Sequence, residues 1–128
     1  MSSVPCPPVG APAHGRISVP DLFAIAERPE QIPWQPFKPG VEIHRLHGDG
    51  VTGPSAALLR FAAGGAVPLH EHTGWEQILI LAGSQRDGNG LAEKGALLIY
   101  APGSQHRIVS DDGCIVLATY ERPVRFLE

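Results

Sequence analysis

The sequence predicts an all-β protein, built as one sandwich or barrel of short strands. Its 128 residues are typical of a single domain with one modest core. From residue 41 onward, short apolar or alternating segments recur, and stretches rich in Gly, Asp, Asn, Ser and Pro separate them. Such stretches form turns. Short strands between glycine-rich turns are typical of all-β sandwiches and barrels.

The first 33 residues have a different composition. Residues 1–16 are rich in proline, alanine and glycine, so we expect residues 1–33 to form a flexible, extended N-terminal arm. Within it, "PDLFAIAERPEQ" is compatible with a short helix. Asp21 would cap this helix, and Pro29 would end it at or before Arg28. The barrel is expected to occupy residues 34–128.

Five segments are predicted as strands from their apolar or alternating pattern. The segment "IPWQPFKPG" before them is expected to be extended, because its prolines exclude a regular helix. "RDGNG" contains two turn dipeptides and predicts a hairpin loop. The predicted strands are "VEIHRL" (41–46), "SAALLRFA" (55–62), "WEQILILAG" (75–83), "ALLIYA" (96–101) and "CIVLATYE" (114–121).

Charge and composition argue against several classes of function. The formal net charge is -3 without clusters, so no basic stripe indicates nucleic-acid binding. No basic amphipathic segment, membrane-length apolar run or signal peptide is recognisable. Cys6 and Cys114 are far apart in sequence and are expected to be free thiols. We therefore expect a cytoplasmic protein.

A cluster of potential metal ligands follows residue 69. His70 and His72 are two residues apart, so in a strand they point to the same face. Glu76 begins the next strand on the face of Ile78 and Ile80, where a buried carboxylate needs a cation. A closed barrel could bring His106 opposite this pair. Taken alone, the His-x-His pattern is also typical of a solvated strand end, but four candidate ligands in this β pattern favour one divalent metal ion.

The ligand types leave the metal open. Three histidines and one carboxylate can close a tetrahedral Zn site. The same set leaves free positions on an octahedral Fe, Mn or Ni ion.

These residues resemble the cupin superfamily. The first cupin motif is met in full by Gly64, His70, His72, Glu76 and Gly83. The second is met in part by Gly95, Pro102 and His106. It departs from the usual pattern in having one more residue between Gly95 and Pro102, and in the glycine that directly follows the proline.

Residues 34–122 further resemble the cupin domains of ChrR-type anti-sigma factors. This resemblance implies a cupin jelly-roll β-barrel of six to eight strands with His70, His72, Glu76 and His106 as metal ligands, and it suggests a homodimer. In ChrR-type factors a separate N-terminal zinc domain grips the sigma factor. Residues 1–33 have no room and no ligand set for that domain, so we do not expect the anti-sigma function.

Four residues are candidates for contact with a substrate. The sequence leaves open whether Arg60 points into the barrel or toward solvent. An inward guanidinium would suit an anionic or enol substrate. Trp75 either gates the cavity or covers the rim. Tyr100 is a candidate hydrogen-bond donor. Ile78 belongs to an expected apolar wall, which comprises Ile78, Ile80, Leu97 and Ile108.

Acidic residues in the predicted turns are interpreted as solvated loop charges. These residues are Asp87, Glu93, Asp111 and Asp112.

Three functions are compatible with this set of residues. The first is a small metal-dependent oxygenase acting on a small organic substrate, such as a diketone, an enol or an aromatic ketone; related stand-alone cupins include such dioxygenases. The second is a non-catalytic, metal-dependent sensor or binding protein for a small molecule. The third is a structural metal that closes the barrel mouth.

Overall fold

A computed structural model of the protein describes residues 15–128. The first fourteen residues of the predicted arm, including Cys6, lie outside the described residues. None of the described helices is long and apolar enough to cross a membrane. The elements in chain order are α1 (Leu22–Glu27), a 3-10 turn (Pro29–Gln31), β1 (Gln35–Lys38), β2 (Val41–His47), β3 (Ser55–Phe61), β4 (Ala66–Glu71), β5 (Glu76–Asp87), β6 (Gly90–Glu93), β7 (Leu97–Tyr100), β8 (Gln105–Val109), β9 (Cys114–Tyr120) and β10 (Arg125–Phe126).

The strands form an antiparallel jelly-roll barrel with two faces. One face has the order β1-β2-β3-β9-β5-β7, and the other has the order β10-β4-β8-β5-β6. All the strand pairs are antiparallel. The predicted all-β barrel is therefore confirmed, and so are the five predicted strands and the hairpin at residues 86–90.

Strand β5 belongs to both faces and bends between them. Its first part, up to Gly83, pairs with β9, and its last part pairs with β6. A bulge interrupts the register between Ile80 and Ala82. Gly83 has φ 74°, and a Cβ atom there would lie 2.1 Å from the Gly113 carbonyl oxygen. Only glycine accepts both constraints, so Gly83 allows one strand to turn the corner of the barrel.

Two apolar layers lie on opposite sides of β3. Alternate side chains of a strand point to opposite faces; Leu59 and Phe61 belong to the barrel interior, whereas Leu58 belongs to an outer cluster. The outer cluster contains Ile25 of α1 and Ile32, which are 8% and 5% exposed. Residues 19–33 of the predicted arm thus include side chains that pack against the sheet.

The short helix forms where the sequence predicts it. Asp21 Oδ1 accepts hydrogen bonds from the backbone N–H groups of Phe23 and Ala24, each at 3.1 Å, as an N-cap residue does. The helix ends at Glu27, before Pro29.

Substituting Gly83 should reveal the strain at the corner. We expect Gly83→Ala to lower the free energy of unfolding by about 3 kcal/mol or more, because a left-handed backbone and a backbone collision act together. Gly95→Ala is the matched control. Gly95 also has a positive φ, of 92°, but nothing lies within 4 Å of its added Cβ, so a loss of about 1 kcal/mol is expected. Urea unfolding measures both, and equal losses would contradict this explanation.

Candidate metal centre

Three buried histidines converge inside the barrel. One ring nitrogen from each of His70, His72 and His106 lies within 4.8 Å of the others. The three residues are 2%, 1% and 6% exposed. Three imidazoles held so close together and out of water can bind a metal ion.

The strand register explains this convergence. His70 on β4 is the direct partner of His106 on β8, so the two side chains share one face of the barrel. His72 lies two residues after His70, just beyond the end of β4, so its side chain points to the same side. Its backbone is fixed to the next turn, since His72 N–H donates to the Ser104 carbonyl at 2.9 Å and the His72 carbonyl accepts from Gly103 N–H at 2.8 Å. The expected approach of His106 to the first pair is therefore observed.

The Nδ1 atoms of His70 and His106 both carry a proton. His70 Nδ1 lies 2.7 Å from the Pro68 carbonyl oxygen, and His106 Nδ1 lies 2.8 Å from Asp87 Oδ2. A carbonyl and an ionised carboxylate can only accept hydrogen bonds. Each ring must therefore donate from Nδ1, which leaves Nε2 with a free lone pair when the ring is neutral.

His72 has the same tautomer for a related reason. Its Nδ1 lies 3.1 Å from the Ser104 carbonyl oxygen and 2.8 Å from Ser104 Oγ. The Ser104 hydroxyl donates its own proton to the Ala101 carbonyl at 2.6 Å, so Oγ accepts from His72. When neutral, all three rings thus present an unprotonated Nε2, the form of imidazole that ligates metals.

The inward-facing polar atoms include an unsatisfied pair. His72 Nε2 lies 3.0 Å from Glu76 Oε1, and both side chains are almost completely buried. Among the described residues neither atom has a hydrogen-bond partner, and His106 Nε2 has none either. With the proton of His72 on Nδ1, two buried acceptors face each other, which is unfavourable unless a cation lies near both. The three histidines fit a divalent metal ion; Glu76 approaches His72 but lies outside the group of donors within 4.8 Å of one another.

Burial also favours the neutral imidazoles. It is the main cause that lowers the pKa of His70 and of His106 below the ordinary value, although hydrogen bonds to Pro68 and Asp87 act in the opposite direction. Neutral rings at neutral pH are ready to bind a metal without first losing a proton.

Asp87 is a site residue that the sequence analysis missed. The expectation of a solvated loop charge was wrong, because its side chain is only 7% exposed. Burial raises the pKa of Asp87, but hydrogen bonds, first of all from His106, outweigh this effect and hold it below the usual value. The carboxylate is therefore ionised behind His106. No local signal marked it, because the bulge in β5 changes which residues point inward.

Tyr100 contacts the histidines. Its ring stacks on His72 with centroids 4.9 Å apart and lies 4.4 Å from the ring of His106. Its hydroxyl donates to Asp87 Oδ2 at 2.9 Å. Burial, followed by this hydrogen bond, raises the pKa of Tyr100 well above its ordinary value. The phenol is thus a neutral donor.

Arg60 lies away from the centre, in the outward one of its two expected orientations. It shares the outer face of β3 with Leu58, where its guanidinium binds Glu42 at 2.6 Å and lies 4.9 Å from the Trp34 ring. Trp75, which directly precedes β5, is 51% exposed. Its backbone N–H and carbonyl are hydrogen-bonded to Glu121.

The expected apolar wall is present except for one residue. Ile78, Ile80 and Ile108 are buried in the interior cluster. Leu97 is 55% exposed, because β7 turns Leu98 and Tyr100 inward instead.

The interior beside the histidines is nearly closed. A cavity of about 20 Å³ there is lined by polar groups of His70, Glu76 and Gln85 within apolar walls. Gln85 is 2% exposed, and within residues 15–128 its Oε1 has no hydrogen-bond partner. A space of this size holds about one water molecule.

Comparison with known proteins places this arrangement in a family. A family model described as "ChrR Cupin-like domain" matches residues 24–124. The chain is 33% identical over 116 residues to the anti-sigma-E factor ChrR of Cereibacter sphaeroides; the alignment covers 89% of this chain and 54% of that protein. The chain thus spans about half the length of this curated relative.

Solved structures show the same fold. The crystal structure of Rhodobacter sphaeroides SigE in complex with the anti-sigma ChrR matches with a TM-score of 0.67 and 30% identity, over 80% of this chain and 57% of that one. An acetylacetone dioxygenase from Acinetobacter johnsonii matches with a TM-score of 0.70 over 100% of this chain and 85% of that one, at 16% identity, which shows the fold alone. The motif, the barrel and these matches together lead to one conclusion: the chain belongs to the family of ChrR cupin-like domains.

Proposed function

We propose that this protein is a metal-binding cupin in which His70, His72, Glu76 and His106 hold one divalent ion. The observation that carries the proposal is the buried approach of His72 Nε2 to Glu76 Oε1 at 3.0 Å, with neither atom hydrogen-bonded in the part of the chain that the structure describes. A cation would satisfy both acceptors. Zn, Fe, Mn and Ni all remain candidates, since each accepts imidazole and carboxylate ligands.

The chain's own residues prepare the site in three ways. Hydrogen bonds at Nδ1 orient the three rings, the Glu76 carboxylate lies beside His72, and the apolar wall around Ile78 limits the interior space to about one water molecule. A bound divalent ion would supply Lewis acidity to this space. Acid or base groups that could take a further part in chemistry are few among the described residues beside it, because Asp87 and Tyr100 are hydrogen-bonded to each other.

We favour a non-catalytic, metal-dependent sensor or binding domain over the oxygenase. Substrate pockets commonly have about 300–1,000 Å³, whereas the interior cavity lined by His70 and Glu76 has about 20 Å³. A diketone or an aromatic ketone does not fit in that cavity. A larger open depression of about 920 Å³ is lined by His106 and Asp87, but not by His70, His72 or Glu76. The similarity to an anti-sigma factor over most of this chain also supports a regulatory role.

The oxygenase remains the second candidate function. Four protein ligands would leave positions free on an ion that prefers six, which is the arrangement that metal-dependent oxygen chemistry requires. Trp75 and Tyr100 would then be the residues nearest the entrance. The homodimer and the cytoplasmic location also remain predictions; exposed Leu97 and Ile99 on β7 would suit a contact between two copies.

Metal binding should stabilise the fold through the histidines. With Zn²⁺ at one hundred times its Kd, we expect the free energy of unfolding to rise by about 2.7 kcal/mol, and a chelator to reverse the rise. His70→Ala should abolish this effect. His47→Ala is the matched control, since His47 is exposed. Differential scanning fluorimetry and metal analysis would check it, and stabilisation that persists in His70→Ala would contradict the ligand assignment.

Glu76→Gln should have opposite effects on the apo protein and on metal binding. The new amide can donate to His72 Nε2, so the apo protein should gain about 1 kcal/mol of unfolding free energy. Because Glu76 is itself a proposed ligand, the metal affinity should fall by more than the roughly 10- to 100-fold that is typical when a group hydrogen-bonded to a ligand is lost. Glu93→Gln at an exposed position is the control. A less stable apo variant would indicate that Glu76 is instead the partner of a protonated His72.

Oxygen consumption separates the two candidate functions. If the protein is a binding domain, the iron-loaded form should consume no more oxygen with acetylacetone than His70→Ala does. Product detected by mass spectrometry with the iron-loaded protein, and absent with His70→Ala, would establish the oxygenase instead.

A further inference from the structure

We propose that Asp87 is a positioning residue that determines the metal affinity of the centre, by fixing the tautomer of His106. This inference rests on the proposed metal site, and it assigns a role to a residue outside the ligand set. Tyr100 supports that role by holding the Asp87 carboxylate in place.

The partner of His106 differs from the partners of the other two rings. His70 donates to a backbone carbonyl, and His72 donates to the carbonyl and hydroxyl of Ser104. His106 donates to a carboxylate at 2.8 Å. A carboxylate is a stronger acceptor than a neutral oxygen and raises the basicity of the opposite ring nitrogen. The His106 tautomer is therefore controlled by a side chain that substitution can change.

Both oxygens of the Asp87 carboxylate accept hydrogen bonds that hold it in place. Oδ1 accepts the backbone N–H of Asn89 at 2.8 Å within the β5–β6 hairpin. Oδ2 accepts from both His106 and Tyr100, at 2.8 Å and 2.9 Å. One carboxylate thus connects the hairpin turn with β7 and β8. These contacts hold it in register with His106.

The hairpin turn by itself does not explain this arrangement. An aspartate at this position of a turn needs only one oxygen for the backbone N–H that follows. The second oxygen of Asp87 points away from the turn toward His106, in a side chain that is 7% exposed. Burying a carboxylate is costly unless its oxygens find donors. His106 and Tyr100 supply those donors, at the back of the metal centre.

Asp87→Asn is the informative substitution because it preserves the turn. The amide oxygen of Asn can continue to accept from Asn89 N–H, which fixes the orientation of the amide and directs its NH₂ group toward His106. A donor then faces Nδ1, so the His106 proton should move to Nε2, the atom that would bind the metal. We expect the Zn²⁺ affinity to fall about 10- to 100-fold.

Two measurements test the two parts of the inference. Long-range ¹H–¹⁵N NMR of the apo protein reports which His106 nitrogen carries the proton, and competition with a chelator reports the Zn²⁺ affinity. Asp111→Asn is the matched control, since Asp111 is an exposed aspartate bound to Arg86; it should change neither result. Tyr100→Phe removes one anchor of Asp87 and should weaken Zn²⁺ binding about 2- to 10-fold, as for one hydrogen bond.

The possible results distinguish a failure of this inference from a failure of the proposed metal site. If wild-type protein binds no Zn²⁺, the proposed function fails. If wild-type binds Zn²⁺ and Asp87→Asn binds it as tightly as Asp111→Asn, or keeps the His106 proton on Nδ1, the role of Asp87 is overturned. Should Asp87→Asn not fold, Tyr100→Phe decides: an unchanged Zn²⁺ affinity in that variant would overturn the inference.

Discussion

The conflict between the lone pairs of His72 and Glu76 is the constraint on which the rest of the structure depends. Two buried acceptors 3.0 Å apart raise the energy of any closed barrel that contains no cation beside them. The surrounding protein does not relieve this conflict, because the Nδ1–H of His72 is already committed to Ser104. The hydrogen bonds that orient the rings therefore leave His72 Nε2 facing Glu76, beside a group of three histidines that could bind a metal ion.

The barrel makes this arrangement rigid through its strand register. His70 and His106 face each other because β4 and β8 pair directly, and Glu76 enters from the first position of β5. The corner at Gly83 then allows the same strand to cross to the other face. The far end of β5 thus delivers Asp87 behind His106. One strand supplies both a candidate ligand and the group that orients another.

The small interior cavity bears on the choice between the two proposed functions. The space beside the histidines is close to the volume of one water molecule, and Arg60, the one cation expected to attract an enol substrate, lies on the outer face with Glu42. What remains at the centre is a group of three histidines that could bind a metal ion, with apolar walls. On these grounds the non-catalytic binding domain is the preferred proposal.

The sequence by itself determined the features that follow from local patterns, namely the alternation of side chains along a strand and the positions of turn residues. Alternation placed His70 with His72 and Glu76 with Ile78, and the turn residues predicted the strands. Tertiary structure decided what depends on non-local contacts. The bulge at Ile80–Ala82 reverses the alternation along β5, which turns Asp87 inward from an apparent surface turn. The helix at Leu22–Glu27 packs with Leu58 in the outer cluster, so the face of β3 that carries Leu58 and Arg60 is the outer one. Periodicity specifies which residues share a face, but only the packing of distant segments decides which face is enclosed.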